Sequence, residues 1–244
     1  YLGMRVESVD EVELLRRMDC GIYDHEEFDR AMAWVRANCP EGLDKNPAFI
    51  RKSPEEKAKD WEFTVKTALI VQDLMSGNDR LPAGNEEEMV GHNAIAAGFQ
   101  GQRQWTDHWP NADFTEAICN TSFDWNGARE PFVLATENDT LNGVSMLLMK
   151  QLTNRAQLFA DVRTYWSGDA VKEATGYAIE GHAKEADGFI HLINSGAAAL
   201  DFTAEARDEN GNPTVKAWYD TTEADRAAML KATDWCAADN GYFR

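Results

Sequence analysis

Two short apolar runs, FVLATE at 132–137 and AQLFAD at 156–161, bracket a segment the length of one helix, and each run ends in an acid, Glu137 and Asp161. Runs this short, set on either side of a capped segment from about Thr140 to Leu152, predict a strand, helix, strand passage and with it an α/β fold. The acids lie 24 residues apart, one strand plus one helix plus turns. In open α/β structures the carboxyl ends of strands face the ligand crevice, so this placement makes both carboxylates candidates for bound chemistry. Two such acids repel each other in a partly desolvated crevice unless a cation or a shared proton intervenes. An oxygen-only pair suits Mg²⁺ or Mn²⁺ better than zinc, which favours His and Cys. The plain alternative is that Glu137 caps the following helix and Asp161 pairs with Arg163 or another base.

Other elements can be placed around this passage. Leu2, Met4 and Val6 alternate like a strand already under way, and Asp10 is a helix cap. Helices are expected at about 10–19 and 25–38, the second with Phe28, Met32 and Val35 on one stripe beside Ala31 and Trp34. Ser53-Pro54-Glu55-Glu56 combines a capping serine, proline in the first turn and acids at the positive end of the dipole. The helix it opens should run to about Met75, with Trp61, Val65, Ala68, Leu69, Gln72 and Met75 as its stripe. The stretch 86–131 is rich in Gly, Gln, Asn and Trp around a short helix near 113–119, a composition of site-lining loops. Further on, GFIHLIN (188–194) reads as a buried strand, 200–219 as a β-hairpin turning at DENGNP, and about 222–236 as a helix capped by Thr221 or Thr222.

Composition excludes several classes of function. A formal charge of -18 opposes a nucleic-acid partner, which needs clustered Lys and Arg, and sits more easily with a neutral small substrate. No apolar run approaches the roughly 20 residues of a membrane span, and no secretory signal is visible, so a soluble cytoplasmic protein is expected. Cys20, Cys39, Cys119 and Cys236 form no CxxC pair and are expected as reduced thiols.

The blocks AIAAGFQGQRQWTD (94–107), SFDWNGAREPFVLATENDTLNGVSML (122–147), FADVRTYW (159–166) and HLINSGAAALD (191–201) carry a further signal. Together, and in this order, they resemble the L-fucose isomerase family, which includes enzymes named D-arabinose isomerase, over nearly the whole chain. The resemblance implies a metal site in which the Glu of the ATEND motif, Glu137, and the Asp of FADVRTYW, Asp161, are both ligands and acid/base groups, with Mn²⁺ or another divalent ion. It implies sugar contacts from Gln100, in GFQGQR, and Tyr242, in YFR; Trp105, Trp125 and Asn138 are further cleft candidates. The family's third ligand is a His far downstream, and none of His25, His92, His108, His182 or His191 lies in a matching motif. His191 is expected to be a core histidine.

By the same resemblance, 1–152 corresponds to the family's middle, Rossmann-like α/β domain and 153–244 to the start of a mixed α+β C-terminal domain. Glu137 and Asp161 would then face each other across an interdomain cleft. The implied reaction interconverts L-fucose and L-fuculose, or D-arabinose and D-ribulose, through an ene-diol, in a homo-hexamer with contacts near helices 10–75. Family members are longer than this chain, so little isomerisation is expected of it alone. Rival readings are a two-carboxylate glycoside hydrolase, which needs no metal, and a non-catalytic sugar-binding or structural piece.

Overall fold

The computed structural model describes residues 3–41, 46–100, 110–194, 197–203, 206–212 and 214–233. Local start signals fix the first helices. Asp10 caps α1 (Glu11–Cys20) by accepting from the Val12 N–H, and Asp24 caps α2 (His25–Asn38) by accepting from the Glu27 N–H. At α3 (Pro54–Ser76) the Ser53 hydroxyl accepts from the Glu56 N–H while the Glu56 carboxylate accepts from the Ser53 N–H, a reciprocal capping box. The expected stripe on α3 proves too narrow. Val65, Ala68, Leu69 and Met75 are buried, but so are Thr64, Thr67, Ile70, Val71, Asp73 and Leu74, because α1, α2 and α4 (Asp113–Asn120) all pack around it. Trp61 meets Phe114 of α4 edge to face at 5.3 Å.

Strands are short and come in pairs. β1 (Ala97–Gly98), β2 (Phe123–Asp124), β3 (Gly127–Ala128) and β4 (Leu134–Ala135) make a parallel pair β1–β4 and an antiparallel pair β2–β3. After β4 come a one-turn 3₁₀ segment (Thr136–Asn138), then α5 (Thr140–Thr153), capped by Asp139. Next, β5 (Asp161–Ser167) pairs antiparallel with β6 (Gly188–Ile193), and α6 (Gly168–Thr175) and α7 (Gly181–Glu185) lie between them. A 3₁₀ turn (Leu200–Thr203) and α8 (Glu223–Ala232) close the described chain, α8 with a Thr222/Asp225 capping box. The fold is mixed α/β, as expected. Among the described residues parallel pairing is confined to β1–β4, and no helix is long and apolar enough to cross a membrane.

Several expectations change. Residues 3–10 are irregular and exposed, Val6 at 73%: alternation makes no strand where no neighbouring strand supplies hydrogen bonds. FVLATE contracts to Leu134–Ala135 because the backbone turns at Thr136. AQLFAD is not a strand. Its Ala156 and Phe159 are buried in irregular chain, and β5 starts where AQLFAD ends, so Asp161 opens a strand instead of closing one. GFIHLIN is a strand but not a buried one; Ile190 is 61% exposed and Leu192 52%, since its one described partner is the equally open β5. The turn within 200–219 is present, with Asp208 accepting from the backbone N–H groups of Asn210 and Asn212, but no regular strands flank it among the described residues. Cys20, Cys39 and Cys119 are free thiols, and Cys236 lies outside the described residues.

The main core joins α1–α4 with Phe123, Leu134, Leu200 and Met229. A smaller cluster of Val133, Ala135, Met146, Leu147 and Phe159 sits between β4 and α5.

Candidate functional site

The parallel pair sets the site. Ala97 pairs with Leu134 and Gly98 with Ala135, so Gln100 and Glu137 each stand two residues beyond the same end of adjacent parallel strands. This is the carboxyl end, where ligands of α/β sheets bind. Glu137 has φ 55° and ψ 19°, and Asn138 follows with φ 53°. Left-handed conformation costs a residue with a side chain about 1 kcal/mol or more, so the turn must be held by its surroundings. Gly98 forms its floor: a Cβ there would lie 2.6 Å from the Ala135 carbonyl oxygen and 2.8 Å from Asn138 Cα. On the far side Asp139 caps α5, accepting from the Asn142 N–H at 3.1 Å. The result lifts the Glu137 carboxylate into solvent, with no hydrogen bond or ion pair to it among the described residues.

Asp161 is tied to the same place through Asn142. Its amide Nδ2 donates to the Ala160 carbonyl at 3.0 Å, so the first turn of α5 grips the residue just before Asp161 while its cap follows two residues after Glu137. Phe159 and Ala135, each two residues upstream of one of the acids, share one apolar cluster. The backbone on either side of the N-terminal end of α5 therefore carries the two acids, Glu137 two residues before its cap and Asp161 one residue after the carbonyl that Asn142 binds. Of the two plain alternatives, one is observed and the other is not. Asp161 Oδ2 pairs with Arg163 Nη2 at 3.0 Å, but Asp139, not Glu137, caps the helix. The Arg163 side chain is half exposed, and such a pair is weak enough for a cation to replace it.

Beneath the turn lies a residue that the sequence did not single out. Glu116 of α4 is fully buried, and its Oε2 accepts from the Thr136 hydroxyl at 2.8 Å. Burial pushes its carboxyl up to about 7 against the opposing pull of the Thr136 hydroxyl and the Ala197 backbone N–H, and the charges of Asp113 and Glu137 push the same way as burial. Its one sequence signal is an acid inside FTEAICN, a helix whose other members are nearly all buried. Asn142 and Gly98 were equally silent, because their roles lie in contacts between elements.

The remaining candidates divide. Tyr242 and Trp105 lie outside the described residues. Trp125 is away from the turn, donating Nε1–H to Glu27 Oε1 at 2.9 Å and packing edge-on against Trp34. His191 is half-buried on β6, its Nδ1 accepting from Trp166 Nε1–H at 3.3 Å, and is not a core residue. A polar cleft of about 470 Å³ beside Glu27, Asp73 and Arg80 includes none of Gln100, Glu137 or Asp161. Of its carboxylates, Glu27 accepts from Trp125, Asn126 and Arg80, and Asp73 accepts from the Asn78 amide.

Two oxygen donors suit a hard divalent ion as part of a ligand set. Among the described residues no group of three or more His, Cys, Asp or Glu is placed to complete it.

Comparison with known proteins identifies the family. The family model for "L-fucose isomerase, second N-terminal domain" matches residues 1–154. The chain is 58% identical over 245 residues to an L-fucose isomerase of Streptococcus pneumoniae (strain CGSP14), covering all of this chain and 41% of that protein. It is also 58% identical over 248 residues to the L-fucose isomerases of Bacteroides thetaiotaomicron and Phocaeicola vulgatus, covering all of this chain and 42% of each. The chain therefore spans about two fifths of the length of the curated relatives it matches. Identity at this level along the entire chain, together with the match of the family model to more than half of it, establishes that the chain belongs to the L-fucose isomerase family.

Proposed function

We propose that this chain supplies part of the active site of a metal-dependent aldose–ketose isomerase acting on L-fucose, and on D-arabinose as a second substrate. The observation that carries the reading is the left-handed Glu137, presented just past the carboxyl end of β4 as Gln100 is just past that of β1, with the residue before Asp161 held to the first turn of α5 by Asn142. Strain of this kind persists where surroundings hold it, and functional sites are where it collects.

Glu137 and Asp161 would hold the ion, Mn²⁺ or a similar divalent cation, with further ligands from outside this pair. When bound, the cation supplies Lewis acidity for the negative charge that develops on the sugar oxygens. The chain's own groups do the rest. One carboxylate removes the proton from C2 and returns it to C1 while the hydroxyl proton of O2 passes to O1, so aldose and ketose differ only in where two hydrogens sit. Gln100 orients the sugar by its amide, and Tyr242 contributes a second contact. A neutral sugar meets no electrostatic barrier from a chain of charge -18.

The relatives' names supply the substrate, and exposed apolar side chains on α5 and on the β5–β6 ribbon support assembly with further protein surface, consistent with a homo-hexamer. The division at about residue 152 into a middle and a C-terminal domain belongs to the same proposal. So do the domains' opposition across a cleft and the cytoplasmic location.

Manganese titration followed by electron paramagnetic resonance tests the site. Glu137→Gln and Asp161→Asn should each weaken binding at least about tenfold, since even outer-shell partners of metal ligands are worth that much. In a full-length L-fucose isomerase carrying this segment, Glu137→Gln should abolish metal-dependent exchange of the C2 proton with solvent. Retained exchange would overturn the assignment.

A further inference from the structure

We propose that Glu116 is a positioning residue for Glu137: by holding the Thr136 hydroxyl, it locks the left-handed turn that presents the Glu137 carboxylate. The inference rests on the reading of Glu137 as a site residue and extends it to a side chain on a different element. A carboxyl in this position is costly. Glu116 is fully buried on α4; the Ala197 backbone N–H lies close enough to favour its charge, but Oε1 makes no well-formed hydrogen bond among the described residues. An apolar side chain of similar volume would fill the space without that penalty.

What the carboxyl gains is the 2.8 Å hydrogen bond from Thr136, itself buried, immediately before the first of two consecutive residues with positive φ. The turn is thereby fixed at three points: Gly98 beneath it, the Asp139 cap after it and Glu116 before it. The first two set where the chain goes. The Glu116–Thr136 bond sets the rotation of the peptide that leads into Glu137, which decides where its carboxylate points.

The test uses the isotopically labelled 244-residue chain and two readouts. A residue with positive φ brings its own Hα and amide proton close together, so Glu137 and Asn138 should each show a strong intraresidue nuclear Overhauser effect. Thr136→Val, which removes the hydroxyl and keeps the shape, and Glu116→Ala should weaken that signal at Glu137 and lower manganese affinity about tenfold. Glu116→Gln, whose amide oxygen accepts the same hydrogen bond, should keep the signal. Ile118→Val serves as a control for destabilisation, lowering the melting temperature without altering the turn.

If Thr136→Val and Glu116→Ala leave the Glu137 signal at full strength, the positioning role is refuted. Should Glu116→Ala fail to fold, Thr136→Val alone carries the decision. Manganese binding indifferent to Glu137→Gln would instead sink the isomerase reading, and the proton signals would still decide the role of Glu116.

Discussion

One methyl group at Gly98 reaches the backbone that carries Glu137. The atoms a Cβ would meet are a carbonyl oxygen and a Cα, which cannot swing aside as a flexible side chain can. Gly98→Ala should therefore destabilise the chain by about 1–3 kcal/mol, the usual cost of overpacking, read as a lower urea midpoint with unchanged slope. Asp73 gives a pH-dependent counterpart. Burial, reinforced by the charges of Glu27 and Asp24, pushes its carboxyl up to about 6, while the Asn78 amide and the Arg17 charge pull the other way. The folded chain then keeps this proton up to about pH 6, whereas the unfolded chain releases it near pH 4. Between those values folding binds the extra proton, so stability falls as pH rises, and above about 6 the penalty is constant. Asp73→Asn keeps the acceptor for Asn78 and removes the charge. Its stability relative to the parent should rise from pH 4 to 6 by about 1–3 kcal/mol and stay level above. A difference flat across that range would show that Asp73 is ionised throughout.

At the scale of elements, what could be read in advance was what is decided locally. The caps of α1, α3 and α8 follow from a few adjacent residues, so Asp10 and Ser53 are legible as such and Thr222 as one of two neighbouring threonines. Strands depend on partners distant in sequence. The apolar run at 188–193 finds β5 to pair with and becomes a strand, whereas the alternation at the start of the chain makes no strand at residues 3–10, and AQLFAD packs Phe159 into the small cluster without pairing. The candidate site was legible in part for the same reason. Glu137 was marked by its place at a strand end, but Asp161 was marked through a strand that is not there, and the family motif identified it independently. Glu116, Gly98 and Asn142 act only through contacts between α4, β1, α5 and the turn, which no local pattern encodes. Asp139 is the element-scale test. Asp139→Ala removes the α5 cap and should cost about 1 kcal/mol, and it should also loosen the Asn142 hold on Ala160. Hydrogen exchange at the first turn of α5 and at the start of β5 should accelerate together; acceleration at α5 alone would mean that Asp161 is positioned by something else.

For the whole molecule the question is how tightly the segments beyond residue 152 are joined to those before it. The family match ends at residue 154, close to the boundary expected from sequence. Yet the main core runs across that line, since Leu200 and Met229 belong to the cluster built on α1–α4. Polar contacts seal the junction. Asp201, buried, accepts from both the backbone N–H and the hydroxyl of Ser122, and the Thr121 hydroxyl accepts from the Leu200 N–H at 2.8 Å. Burial raises the Asp201 carboxyl above its ordinary range, opposed by the Ser122 bonds, so this is a contact that stabilises only while its partners are in place. Asp201→Ala strands a buried N–H and a hydroxyl at a cost of about 2–3 kcal/mol, a drop in melting temperature of about 5–10 °C for a chain of this size. Because the core is shared, the drop should appear at the same temperature in far-ultraviolet circular dichroism, which reports the helices, and in the fluorescence of the tryptophans around Trp34, Trp61 and Trp125. Two separated transitions in the variant, with the tryptophan signal unmoved, would instead make 197–203 and α8 a unit that docks on the helical core without sharing its stability.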